Sequence, residues 1–144
     1  DLFTLLGLDC SESRQGDNGA RWDALIKDDT NSIPIEIKSP TEELRLSLKA
    51  VRQALENKVI LLSRKAYPTH LDTTSLVVGY ELPNTRAEVT KLINDIYNTY
   101  NIRIGVIGLR TLFAMAISAI SNGKRIEAEK LNGVKGILNV DLRA

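Results

Sequence analysis

With one cysteine, one histidine, one methionine and one tryptophan in 144 residues, the chain lacks the material for several chemistries. Cys10 has no second cysteine to pair with, so no internal disulfide forms, and such usage suits a reducing cytoplasm. Zinc centres built from Cys and His lack their ligands. Any Ser-His-Asp triad would rest on His70 alone, inside the loop-like stretch Tyr67-Pro68-Thr69-His70-Leu71-Asp72. The four prolines and nine glycines form no linker long enough to divide the chain. No apolar run approaches the ~20 residues needed to span a bilayer. The opening Asp1-Leu2-Phe3-Thr4-Leu5-Leu6 has no basic signal-peptide start. It also has no Met, which points to an upstream piece that was removed or lies outside this sequence. Net charge is only +1. A stand-alone nucleic-acid-binding domain usually carries a strong basic excess, so a chain acting on nucleic acid with this balance would rely on another domain or subunit to reach it.

What remains is the composition of a folded protein, 43% hydrophobic and 26% charged. Residues 1–144 are long enough for one domain, which at this size buries roughly 70% of its surface without staples. The pattern along the chain predicts the following elements. Residues 1–9 resemble the end of a helix. Gly16, Asp17, Asn18 and Gly19 give turn signals. Residues 20–27 and 32–38 are predicted strands joined by a hairpin-like Lys27-Asp28-Asp29-Thr30-Asn31. Ser39 to Glu43 has the composition of a helix start. Leu44, Leu48, Val51, Leu55, Val59 and Leu62 then recur at helical spacing, predicting one helix over about 41–65 rather than a helix ending near Asn57 followed by a strand. A strand at 75–80, a helix opening at Asn84, a strand at 102–109 and a helix at 111–121 stopped by Gly123 follow, while 126–144 give no clear pattern. This order predicts an α/β sandwich, a mixed central sheet flanked by helices.

The residues that carry chemistry lie on the first two of these strands. Ile33, Ile35 and Ile37 alternate, so Glu36 and Lys38 share the opposite side. Asp23 sits on the neighbouring strand. Mg²⁺ takes oxygen ligands, usually one or two carboxylates plus phosphate oxygens and water. Asp23 and Glu36 supply such carboxylates, and the backbone carbonyl of Ile37 lies between the two charged side chains as a further metal ligand. Lys38 is placed to orient an attacking water and to stabilise a pentavalent phosphorus. This is the equipment for hydrolysing a phosphodiester with Mg²⁺, for which Mn²⁺ would substitute.

An acid-x-Lys triplet alone carries little information, since roughly one or two arise by chance at ordinary charge usage. The second one here, Glu56-Asn57-Lys58, falls within the helical stripe, where residues two apart do not face each other. It also lacks an acid on a preceding strand. The plain alternative for Glu36 and Lys38 is a solvated charge pair at a strand end, and Asp23 on the adjoining strand argues against it.

Gly19-Ala20-Arg21-Trp22-Asp23 ahead of Ile35-Glu36-Ile37-Lys38 resembles the PD-(D/E)xK nuclease superfamily, with Trp22 where proline is often seen. The order strand Leu76–Glu81, helix Glu88–Tyr97, strand Gly105–Leu109 and a helix opening at Arg110 is similar to the FokI-type cleavage domain of type IIS restriction endonucleases. The resemblance implies a restriction-endonuclease-like sandwich with Asp23 and Glu36 as metal ligands and Lys38 as the catalytic lysine. It implies double-stranded DNA as substrate, a separate recognition domain or subunit, and a second cleavage domain, identical or different, for a double-strand cut. It also implies an acidic residue from an N-terminal helix, for which Asp9 and Glu12 are the candidates. Another nuclease of the superfamily, or a non-catalytic α/β partner domain, are the other readings.

Arg45, Lys49 and Arg52 recur at helical spacing, either as a phosphate-contacting stripe or as a solvated face with Arg52 beside Glu56. Gln53 is a candidate to point towards the acids. Arg14 and Arg21 flank the glycine-rich turn, as contacts to a DNA backbone or as solvated loop residues. The helix at 111–121, with Phe113 and Met115, is apolar almost all round, hence core or interface.

Overall fold

The computed structural model describes residues 2–12, 22–42, 44–64, 67–82, 86–123 and 129–138. The glycine-rich turn with Arg14 and Arg21 lies outside these residues. Strands β1 (Asp9–Glu12), β2 (Ala24–Lys27), β3 (Ile33–Lys38), β4 (Ser75–Gly79), β5 (Ile104–Gly108) and β6 (Gly136–Leu138) form one sheet in sequence order. β2 runs antiparallel to both of its neighbours, β1 and β3, and β3 to β6 are mutually parallel. The parallel connections β3–β4 and β4–β5 need crossovers. Helices α2 (Leu48–Arg64) and α3 (Arg86–Tyr100) supply them. The fold is therefore an α/β sandwich with a mixed sheet, as the sequence predicts.

Strand alternation sorts the side chains onto two cores. Ile33, Ile35, Leu76, Val78 and Ile107 face one way, packed with α1 (Leu2–Leu5) and α4 (Leu109–Asn122) through Phe3, Leu112, Met115 and Ala116. Val77, Ile104 and Val106 face the other way, against Ala50, Val51 and Ala54 of α2 and Val89, Ile93 and Ile96 of α3. A fully buried Ile or Val contributes roughly 1.5–3 kcal/mol, so both layers hold the strands firmly. Glu36 is Cα partner to Val77 and Lys38 to Gly79, which puts both charges on the α2 side.

Several boundaries differ from the sequence expectation. The helix expected over 1–9 ends at Leu5, and Asp9–Glu12 form a strand at the edge beside β2. Ser39 and Glu42 do form the reciprocal capping pair, Ser39 N–H to Glu42 Oε1 at 3.2 Å and Glu42 N–H to Ser39 Oγ at 3.4 Å. They close an isolated turn, however, and α2 begins only at Leu48. The delay arises because residues 44–46 pair with Glu81, prolonging the sheet: Leu46 N–H bonds Glu81 O, and Glu81 N–H bonds Leu44 O. The buried face of α2 is also not the leucine stripe. It runs through Ala50, Val51, Ala54, Asn57, Lys58 and Leu61, while Val59 is half exposed. Alanines let the helix approach the sheet, and the two polar side chains are buried because each has partners. Near the C-terminus, α5 (Glu129–Asn132) leads to β6 at the sheet edge.

Candidate metal centre

Trp22 is buried with Leu25 and Leu61, which anchors the chain just before β2. Asp23 follows at the exposed end. Its N–H donates to Ile35 O at 3.0 Å, and its Oδ2 accepts from Ile37 N–H at 2.8 Å. Ala24 pairs with Ile35 and Leu25 with Pro34. The regular β2–β3 ladder ends at Ala24–Ile35, and Asp23, just before it, also bonds Ile35 O, so Asp23 stands outside the alternating register. The Asp23 carboxylate, held on the Ile37 amide, lies close enough to Glu36 to act on its carboxyl.

Glu36 is buried between two helpers. Its Oε2 lies 3.3 Å from Lys38 Nζ, and its Oε1 accepts from Asn57 Nδ2 at 3.1 Å. Burial pushes the Glu36 carboxyl above its usual range. The Asn57 hydrogen bond opposes this, the Asp23 carboxylate adds to it, and Lys38 again opposes it. A buried acid next to a second acid gains from a cation, and the Lys38 ammonium at 3.3 Å supplies one.

The donor set suits a hard cation. It consists of oxygen atoms only, from two carboxylates and a backbone carbonyl. A strand residue that points its N–H to one side points its C=O to the same side, so the Ile37 carbonyl opens towards Asp23, where β2 ends. Among the described residues no cluster of three or more Asp, Glu, His or Cys side chains comes together. Two carboxylates with water and phosphate oxygens are the usual Mg²⁺ complement.

Asp9 and Glu12 do not complete the pair from a helix. Glu12 is in register with Ala24, whose side chain belongs to the core on the α4 side, and so points away from the α2 face that carries Glu36. Asp9 pairs with Lys27, four residues along β2 from Asp23, roughly 13 Å at strand spacing. Arg45 lies ahead of α2 and is 3.4 Å from Glu81, so Arg45, Lys49 and Arg52 do not form one helical stripe; the latter two are exposed on α2. Gln53 Oε1 is buried without a hydrogen-bond partner among the described residues, one turn before Asn57. His70 is exposed in the 67–73 loop, and the half-buried Cys10 thiol is pushed up to about 11, first by desolvation and then by Glu12 and Asp9.

Asn57 is the site residue that spacing alone misses. It belongs to the acid-x-Lys triplet that the helical stripe argues against as a catalytic motif, and Glu56 of that triplet is exposed while Asn57 and Lys58 are buried. The signal was available in another form: Ala50, Ala54, Asn57 and Leu61 recur at intervals of four, three and four, a face narrower and smaller than the leucine stripe.

No family of known proteins matches the chain, and comparison with curated proteins and with solved structures finds no match. No helix among the described residues is long and apolar enough to cross a membrane.

Proposed function

We propose that this chain is a Mg²⁺-dependent DNA endonuclease of the PD-(D/E)xK type, the cleavage domain or catalytic subunit of a type IIS restriction enzyme. The observation that supports the reading is the Glu36–Lys38 ion pair at the end of β3 beside the Asp23 carboxylate, which is bonded to the Ile37 amide. The mixed sheet with a β–α–β crossover beside the site agrees with it.

Asp23, Glu36 and the Ile37 carbonyl would hold the cation. Bound Mg²⁺ supplies a water of lowered pKa and neutralises charge on the phosphate. Lys38 adds an ammonium group that orients the attacking water and stabilises the pentavalent phosphorus. With a net charge of +1, affinity for double-stranded DNA comes from a recognition domain or subunit. One site cuts one strand, so a double-strand break needs a second cleavage domain. The outward residues Phe113, Ile117 and Ile120 of α4, all at least half exposed, are a surface on which two such domains can pair.

The test is DNA nicking by the chain together with its recognition partner in Mg²⁺ or Mn²⁺. Glu36→Ala and Asp23→Ala are expected to abolish cutting, as is EDTA. Cutting that survives either substitution or chelation overturns the assignment, and absence of Mn²⁺ binding at millimolar concentration favours a non-catalytic α/β module.

A further inference from the structure

We propose that Asn57 is a positioning residue: it holds the Glu36 carboxylate so that Oε2, the oxygen beside Lys38, is the one presented to the cation. The inference rests on the metal-centre reading above and adds to it how the ligand is aimed.

Asn57 is 2% exposed on a helix face that also holds Ala50, Val51, Ala54, Leu61 and the buried Lys58. Burying an amide there costs free energy unless it is hydrogen-bonded, and an apolar side chain would pack the same space. The partner it has is Glu36 Oε1, at 3.1 Å. A terminal carboxylate torsion is broad and two-fold, so without this bond the contact with Lys38 is the one restraint left on the Glu36 carboxylate among the described residues. With it, Oε1 is occupied and Oε2 is left facing Lys38 at 3.3 Å.

The amide can set the carboxylate because its own helix is pinned on both sides. Ser75 Oγ of β4 donates to Ala54 O at 2.7 Å, one turn before Asn57. In the next position Lys58 Nζ donates to Thr69 Oγ1 at 2.8 Å and to His70 O at 2.6 Å. Helix, strand and loop are tied together around Asn57, so Glu36 adjusts to Asn57 rather than the reverse. Partners of this kind behind a metal ligand typically change affinity by 10–100-fold.

Mn²⁺ affinity, measured by titration calorimetry on the full chain, tests this in a double-mutant cycle with Glu36→Gln and Asn57→Leu, the leucine keeping volume and removing the donor. Asn57→Ala repeats the comparison in case the leucine variant does not fold, and circular dichroism without metal checks each variant. The expected result is about a tenfold loss of Mn²⁺ affinity in N57L, a larger loss in E36Q, and no further loss when the two are combined. Native affinity in both Asn57 variants overturns the inference, as does an equal loss when N57L is added to E36Q. If the native chain binds no Mn²⁺, or E36Q binds as the native chain does, the metal centre itself falls and this inference with it. An effect of E36Q without one of N57L removes the role of Asn57 alone.

Discussion

The Asp23 carboxylate accepts the backbone N–H of Ile37 at 2.8 Å, joining residues 14 apart in sequence. The same side chain is therefore both a strut between β2 and β3 and a proposed ligand. The two roles separate by substitution. Asp23→Asn keeps an acceptor for the Ile37 amide, whereas Asp23→Ala leaves that amide to solvent. Asp23→Ala is expected to lower unfolding free energy by about 1 kcal/mol and Asp23→Asn by a few tenths, while both lose Mn²⁺ affinity. Urea unfolding beside a metal titration measures the two effects independently.

Lys38 and Glu36 separate in a similar way. Removing the ammonium takes away a positive charge beside the ligand carboxylate, so Lys38→Ala is expected to bind Mn²⁺ at least as well as the native chain. Cutting should nonetheless fall by about 100-fold or more, the scale for losing one group that stabilises a transition state. Parallel loss of metal binding and cutting in K38A would mean that Lys38 only supports the site.

The strands and their facing were legible because alternation is a strong signal: Ile33 and Ile35 on one side, Glu36 and Lys38 on the other, as the residue types alone imply. The mixed sheet followed from the element order. The helix start was hidden because Ser39 and Glu42 form a real capping pair that caps a turn rather than α2. The spacing of Ala50, Ala54, Asn57 and Leu61 carries the burial of Asn57, but its partner Glu36 lies 21 residues away, and no local pattern encodes a partner at that distance. The small β6 strand gives no periodic signal over three residues and exists through its pairing with β5.

Gly79 is Cα partner to Lys38, and a Cβ there would run into the Leu46 side chain. Leu46 is buried over the strand end next to the site. Gly79→Ala is expected to cost about 1–3 kcal/mol by overpacking. Trimming the obstacle relieves it, so Gly79→Ala combined with Leu46→Ala should destabilise by clearly less than the sum of the two single changes. Chemical denaturation of the four proteins in this cycle measures the coupling, and strict additivity would place the strain elsewhere.

On the outer face of α4, Ile117 is 60% exposed, whereas Leu112 of the same helix is 3% exposed. Leu112→Ala should cost about 2–5 kcal/mol. Ile117→Glu should stay within about 0.5 kcal/mol of native stability. If cleavage domains pair through this face, I117E lowers double-strand breaks while nicking persists, and the ratio of linear to nicked plasmid reports it. An unchanged ratio would direct the search for the pairing surface to another element.

Lys58 is 0% exposed, and desolvation pushes its pKa down to about 8, with Asp72 opposing. An unfolded lysine titrates near 10.5. Below pH 8 the group is charged in both states, and the folded protein bears the whole cost of burying the ammonium. Between pH 8 and 10.5 the unfolded chain binds more protons than the folded one, so this residue's contribution to stability rises with pH. Lys58→Met keeps the buried stem and removes the titration, leaving Thr69 and the His70 carbonyl without the ammonium. The stability of the native chain relative to K58M is therefore expected to increase from pH 7.5 to pH 10, by up to about 3 kcal/mol on the scale of 1.36 kcal/mol per pKa unit. Urea unfolding at several pH values measures the difference directly. A gap that is constant across this range would mean that Lys58 keeps an ordinary pKa in the fold, and that its bonds to Thr69 and His70 offset burial in full.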